Sequence, residues 1–326
     1  MKRACPLFCA LLLLWALLPL TALPAGASKV NASGDYRYAL NKSGEAVITA
    51  YIGMEAVLTI PGRVDGYPVI AIGEEAFYSR GSLVSVSLPE GLTRIESHAF
   101  DFCGSLKTLT LPGSLSFIGD LAFAACYSLE SLTLPEGLTA IGDKAFSFSS
   151  LISLALPASL TQVGVNPWMY TPTSLTLASG NQVLTLRDGV LFHKGEQRLI
   201  RYPYGNSRAA FTVPEGTLVI GGGAFYGCEA LTAITLPKGL HTIGENAFSG
   251  CKGLNILNLP PDVRIIGSMA FNGCEGLKTL PLPKGVEDLS PDAFMGCTAL
   301  MLSVIPGSYA ETRVLQTGVP FIYTEE

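Results

Sequence analysis

Leu231-Thr-Ala-Ile-Thr-Leu-Pro-Lys-Gly-Leu-His-Thr-Ile-Gly-Glu-Asn-Ala-Phe-Ser-Gly-Cys251 is the most complete statement of a pattern that this chain repeats. Leu231, Ile234 and Leu236 fall on one side of an extended segment and the residues between them on the other, which reads as a short half-buried strand. Pro237 cannot donate to a ladder and ends that strand. Gly239 supplies a turn, Leu240 and Ile243 bring apolar groups back inside, and Gly244 opens the next bend. Ala247 and Phe248 then place one small and one large group in the core, from an expected helical or 3₁₀ turn on the outer side.

The phenylalanine returns every 23 residues in two series. Phe77, Phe100, Phe123 and Phe146 form the first; Phe225, Phe248, Phe271 and Phe294 form the second. A fixed period of this size is the signature of a solenoid. One copy cannot bury its own apolar face, so neighbours must cover it, pair the strands and be closed at both ends. The predicted architecture is therefore an α/β solenoid with a parallel sheet, in which these eight rings are structural.

The two series are out of step. Trp168 follows Val163-Gly164 where a phenylalanine is due, and 57 residues separate it from Phe225. Leu184 to Leu186, Val190 to His193 and Arg198 to Tyr202 read as strands, with turns at Asp188-Gly189 and Lys194-Gly195. A β-meander is thus expected inside the solenoid. Its aromatic residues (Trp168, Tyr170, Phe192, Tyr202, Tyr204, Phe211) either fill an irregular core or form an exposed cluster that anchors a partner.

The expected organisation runs from residues 1–27, a signal peptide, to a β-hairpin cap at 28–67 and a first repeat block at 68–165. The irregular repeat and meander take 166–213, a second block 214–306, and a C-terminal helix and strand cap 307–326. The leader rests on Lys2 and Arg3, an uncharged leucine-rich stretch and the small-residue site Ala25-Gly26-Ala27, with cleavage after Ala27. A retained membrane anchor is the competing reading. Cys5 and Cys9 precede or open the apolar stretch, the wrong place for a lipid anchor. Ser308-Tyr-Ala-Glu311 reads as a capping box for the last helix, and Gly318 as its stop.

With 26 acidic against 21 basic residues and a net charge of −5, the chain has no electrostatic footprint for nucleic acid or an anionic membrane. No run after the leader is apolar and long enough to cross a bilayer. Cys103, Cys126, Cys228, Cys251, Cys274 and Cys297 each stand three residues after a repeat phenylalanine. Their spacing is the repeat's own, so they read as buried free thiols and not as a disulfide or metal framework. His98, His193 and His241 are isolated. Gly221-Gly-Gly223 is the repeat with glycines at variable places, with no P-loop lysine after it. Glu90, Glu136 and Glu215 sit singly on turns, and no nucleophile or acid–base set can be assembled. Asn31-Ala-Ser and Asn41-Lys-Ser are glycosylation sequons. No catalytic, cofactor or metal residue is assigned.

The candidate binding surface is the open face of the sheet: Ser85, Ser87, Lys107, Thr108, Thr110, Glu130, Ser131, Thr133, Ser153, Thr232, Thr235, Asn255, Asn258 and Lys278. Trp168, Tyr170 and Tyr204 of the interruption are added to it.

The repeat resembles the 23-residue leucine-rich repeats of BspA-like bacterial surface proteins over residues 35–323. Asp65-Gly-Tyr-Pro-Val69, Asp188-Gly-Val-Leu-Phe192 and Gly307-Ser-Tyr-Ala310 are similar to recurrent features of that family. The resemblance implies the leucine-rich repeat fold and adhesion or interaction, without a ligand motif. The expectation is an exported, monomeric, non-enzymatic protein that binds an extracellular or cell-surface protein or glycan. A secreted regulator or inhibitor of an enzyme is the alternative, and a hydrolase on a solenoid the third.

Overall fold

The computed structural model describes residues 28–324; the leader reading lies outside them. Each coil has three arms. The first is the L-x-x-I-x-L strand, the second a two-residue strand ending at the I-G isoleucine, and the third a run of turns carrying A-F-x-x-C.

The second arm holds the longest ladders. Tyr67–Ile72, Arg94–Ile95, Phe117–Ile118, Ala140–Ile141 and Gln162–Val163 pair in parallel within a nine-stranded sheet. Arg198–Arg201, Val219–Ile220, Thr242–Ile243, Ile265–Ile266 and Asp288–Leu289 do so within a seven-stranded one. The first arm does not form the single long sheet expected. Val57–Thr59, Ser85–Ser87 and Thr108–Thr110 pair, Ser131 keeps one bridge to Ser153, and further short sheets follow. Strands of two to four residues make so few bonds that one lost pairing interrupts the ladder.

The third arm is not helical. In each coil a chain of i to i+3 bonds links successive turns, as in Ala247 N–H to Gly244 O and Ser249 N–H to Asn246 O. Alternate N–H groups instead reach the next coil, as in Phe248 N–H to Ala270 O at 2.7 Å. Left-handed residues two before and two after the ring, such as His98 (φ 56°) and Phe102 (φ 59°), break the helical repeat. Among the described residues the one helix is Tyr309–Thr317, so the α part of the fold is slight. Ser308 Oγ accepts from Glu311 N–H as the N-cap, while Glu311 Oε2 accepts from the N–H of Gly307, one residue before the cap, in place of the Ser308 N–H of a capping box; Gly318 (φ 70°) ends the helix. The opposite end is closed by the antiparallel hairpin Tyr36–Leu40 and Ala46–Tyr51.

The rings stack in columns. Phe77, Phe100, Phe123 and Phe146 follow one another at 4.8, 5.4 and 5.6 Å with planes within 14° of parallel. Phe225, Phe248, Phe271 and Phe294 follow at 5.0, 5.2 and 5.5 Å. All eight are buried, and Tyr51 and Tyr202 extend the columns at 5.3 and 5.2 Å.

The six cysteines are unpaired and buried, and five have a task beyond filling space. Cys103, Cys126, Cys251, Cys274 and Cys297 each donate S–H to the ring residue's carbonyl one coil back, at 3.0–3.3 Å. Arg80 and Thr171 hold the same place and make the same bond, to Tyr51 and Phe146.

The meander strands Leu184–Arg187, Val190–His193 and Arg198–Arg201 form a partition between two cores. Leu191 and Ile200 pack into the first, Val190, Phe192, Leu199 and Tyr202 into the second. Backbone pairing stops at the seam between Gln162–Val163 and Arg198, and side chains stitch it. Arg198 donates to Val163 O at 3.2 Å and Asn166 to Gly223 O at 2.9 Å. Arg201 donates to Thr173 and Thr171 carbonyls at 2.9 and 3.0 Å, with its guanidinium 5.6 Å from the Trp168 ring. Burial lowers the Arg201 pKa to about 10, which leaves it charged at neutral pH.

Phe123→Ala is expected to cost ~3–5 kcal/mol by opening a cavity in the column, while the exposed Thr110→Lys stays within ~0.5 kcal/mol; denaturant titration of both variants checks this. Burial also pushes the Cys103 and Cys228 thiols up to about 12. Protein without residues 1–27 should therefore react slowly with a thiol reagent when native, and release six equivalents without reductant once unfolded.

Candidate interaction surfaces

The first arm presents the predicted residues much as their alternation requires. Lys107, Thr108, Thr110, Glu130, Ser131, Thr133, Thr235, Asn255 and Asn258 are exposed. Ser85 pairs with Thr108 and Ser87 with Thr110, so hydroxyls line up in rows across neighbouring coils. Thr232 is half-buried, its hydroxyl donating to Ala209 O at 3.0 Å. The two blocks carry these residues on separate short sheets.

Trp168 is a correction. Its side chain is fully buried in the ring position of its coil, roofed by Arg201, and offers nothing to a partner. The stretch around it divides between the two readings. Phe192 and Tyr202 fill the core and Phe211 is half-buried, whereas Tyr170 is exposed and Tyr204 half-exposed.

Tyr170 belongs to a larger feature on the turn arm. Five coils in succession each expose one ring: Tyr78, Phe102, Tyr127, Phe148 and Tyr170, all between 38% and 56% accessible. Tyr78 and Phe102 meet edge-on at 5.9 Å, and Phe148 stacks on Tyr170 at 4.5 Å. Tyr170 meets Tyr226 at 4.8 Å, where their hydroxyls hydrogen-bond, and Tyr204 at 6.3 Å. Tyr127 lies over Gly104, where a β-carbon would touch its ring at 3.3 Å.

Three of these rings occupy backbone that disfavours them. Phe102, Phe148 and Tyr170 have φ of 59°, 58° and 58°, the left-handed region. At the matching position of the second block stand Gly227, Gly250, Gly273 and Gly296. The turn itself is thus well served by glycine; the first block instead carries an exposed aromatic there in three coils, and Ser79 (φ 57°) and Ala125 (φ 54°) in the other two. Sequence reading missed this ridge because the rings fall one, two or four places after the repeat phenylalanine, in positions that look merely variable.

The second arm contributes a cleft at the seam, a cavity of about 560 Å³. Phe117, Ala140, Asp120 and Asp143 form one side, and His193, Glu196 and Arg198 of the partition the other. Each aspartate uses Oδ1 to accept a backbone N–H one coil on, from Asp143 and Val165, both at 2.7 Å. Burial raises the Asp143 pKa, with Asp120 adding to the effect. Glu196 binds Arg198 at 2.6 Å, and its N–H donates to His193 Nδ1 at 3.0 Å; burial lowers the His193 pKa. Among the described residues no group of three or more histidines, cysteines and carboxylates is placed to hold a metal ion, and no helix is long and apolar enough to cross a membrane.

A family model of the BspA-type leucine-rich repeat region matches residues 67–188 and 204–313, in six copies. The chain belongs to the BspA-type leucine-rich repeat family. A leucine-rich cell surface protein from Faecalibacterium prausnitzii is similar at 25% identity with a TM-score of 0.56, over 88% of this chain and 97% of that one. The pneumococcal vaccine antigen PcpA is 20% identical with a TM-score of 0.62, over 92% and 99%. A leucine-rich repeat protein from Eubacterium ventriosum is 24% identical with a TM-score of 0.66, over 86% and 78%. The last two likenesses concern the fold alone. No curated protein matches the chain.

The BspA-type turn makes a direct prediction. Gly273 has φ 67° and open space where a β-carbon would stand, so Gly273→Ala should cost ~1–2 kcal/mol from the left-handed backbone alone. Phe102→Gly should cost nothing measurable, because relief of that same term offsets the ~0.5–1 kcal/mol entropy of a glycine. Paired denaturation midpoints decide both.

Proposed function

We propose that this chain is an exported, non-enzymatic interaction protein that engages another extracellular or cell-surface protein, with the aromatic ridge of the first block as its anchor. One observation carries the reading. Phe102, Phe148 and Tyr170 sit exposed in left-handed backbone that the second block gives to glycine. Non-glycine residues in such regions cost free energy and concentrate at functional sites. Rigid aromatic side chains are what protein interfaces use as anchors, since they bury large area with few rotamers to order. The solenoid presents them with little reorganisation on binding.

Family membership supports an interaction or adhesion role, and likeness to a protein named for the cell surface supports export. The first-arm hydroxyl rows are a second, polar surface that would add specificity around that anchor. The non-enzymatic reading is supported by the seam residues, whose carboxylates and histidine are engaged in holding backbone and in an ion pair.

The test is capture of binding proteins from extracellular extracts by protein lacking residues 1–27. The double variant Phe102→Gly/Phe148→Gly, which keeps the backbone, should lose at least about tenfold in capture of a given partner, equivalent to ~1.4 kcal/mol. Thr110→Lys should retain that capture if the ridge is the anchor. Undiminished capture by the ridge variant refutes the assignment.

A further inference from the structure

We infer that the cleft at the seam between the two repeat blocks is a binding site for a cationic side chain, a lysine or arginine presented by a partner polypeptide. The outward column of the second arm reads Arg94, Phe117, Ala140, Gln162 across successive coils. Ala140 is the small member, itself almost fully buried, and it lines the cavity together with Phe117. The partition closes the far side, giving the cavity of about 560 Å³. That space takes an extended side chain with part of its backbone.

Two observations of different kinds choose the ligand. The first is charge. Asp120, Asp143 and Glu196 line the cleft against one guanidinium, Arg198, which Glu196 already holds. His193 does not balance the excess, because burial favours its neutral form. Each aspartate engages Oδ1 with a backbone N–H, and both carboxylates are among the residues that line the cavity. A cation entering there regains what Asp143 loses by burial.

The second is an internal precedent. One coil away, the Arg94 guanidinium lies over the Phe117 ring with Cζ 3.8 Å from its centroid, while Glu96 holds Nε at 2.7 Å. Phe117 is therefore already a cation platform, paired with a carboxylate, within this fold. The cleft offers the same combination, an aromatic wall with Asp120 and Asp143 beside it, and there the column contributes Ala140 and Gln162 and no cation. An ammonium or guanidinium on an apolar stem suits the mixture of Ala140, Ile141 and Val163 with carboxylates better than a neutral sugar or an anion. The site lies on a different arm from the ridge and does not depend on it.

Ligand-observed NMR titration tests the proposal with blocked tripeptides Gly-X-Gly, where X is arginine, lysine, citrulline or glutamate. Arginine and lysine peptides should bind, and citrulline, which keeps the shape of arginine without its charge, should bind about tenfold more weakly. Raising the salt should weaken the arginine peptide further. Asp120→Asn/Asp143→Asn keeps the oxygens that cap the backbone but removes both charges, and should reduce arginine binding about tenfold with the thermal midpoint little changed. Ala140→Leu, which adds bulk to the cavity wall, should abolish it, and Phe148→Gly on the ridge should leave it intact. Equal binding of arginine and citrulline peptides overturns the inference. So does full binding by the aspartate double variant, or binding of a neutral trisaccharide without binding of the cationic peptides.

Discussion

Each coil of this chain hands a share of its backbone N–H groups to the coil beside it, and the rest of the structure depends on that exchange staying in register. On the second arm the ladder joins like residues, Ile95 to Ile118 to Ile141. On the turn arm it joins a ring residue to the residue before the next ring, an alanine in the regular coils and Pro167 where Phe146 meets the Trp168 coil. Because both ladders advance by whole coils, a side chain type repeated at the period becomes a column, and rings stack at 4.8–5.6 Å in the first block. A slip of one residue would turn the apolar set outward. Isoleucine, alanine and phenylalanine at fixed offsets hold the register because no other alignment buries them all.

That regularity made much of the fold legible from residues alone. The columns, the exposed first-arm hydroxyls, the hairpin cap and the Ser308 N-cap all follow from pattern and local chemistry. What pattern could not reveal are features that exist only between coils. The cysteines look like small core groups in sequence. Their common task becomes visible only where Arg80 and Thr171, unlike them in size and apolarity, donate to the same carbonyl. Trp168 looked like a potential anchor because its neighbours break the period, but it occupies the regular ring position. The turns read as helical because an alternation of left-handed and ordinary residues leaves little mark in a sequence whose left-handed positions include His98, Phe102 and Leu121.

The candidate surfaces were legible in unequal measure for the same reason. Thr108 and Thr110 follow from strand alternation. The ridge does not, since Tyr78, Phe102 and Tyr127 stand at three different offsets and converge only when the turns are stacked. The cleft is further from the sequence still. It needs Ala140 to fall beside Phe117 and the partition to arrive from fifty residues on, bringing Glu196 and Arg198 against Asp120 and Asp143.

The partition also decides how the molecule comes apart. A solenoid behaves as a one-dimensional array in which each unit is coupled to its neighbours. Here the backbone ladder is severed between Gln162–Val163 and Arg198, and the two sides are joined through guanidinium and amide groups and through strands that share both cores. By that rule, loosening the wall is expected to uncouple the two halves, so the middle of the chain, and not its ends, is where damage in one half would be passed to the other or stopped.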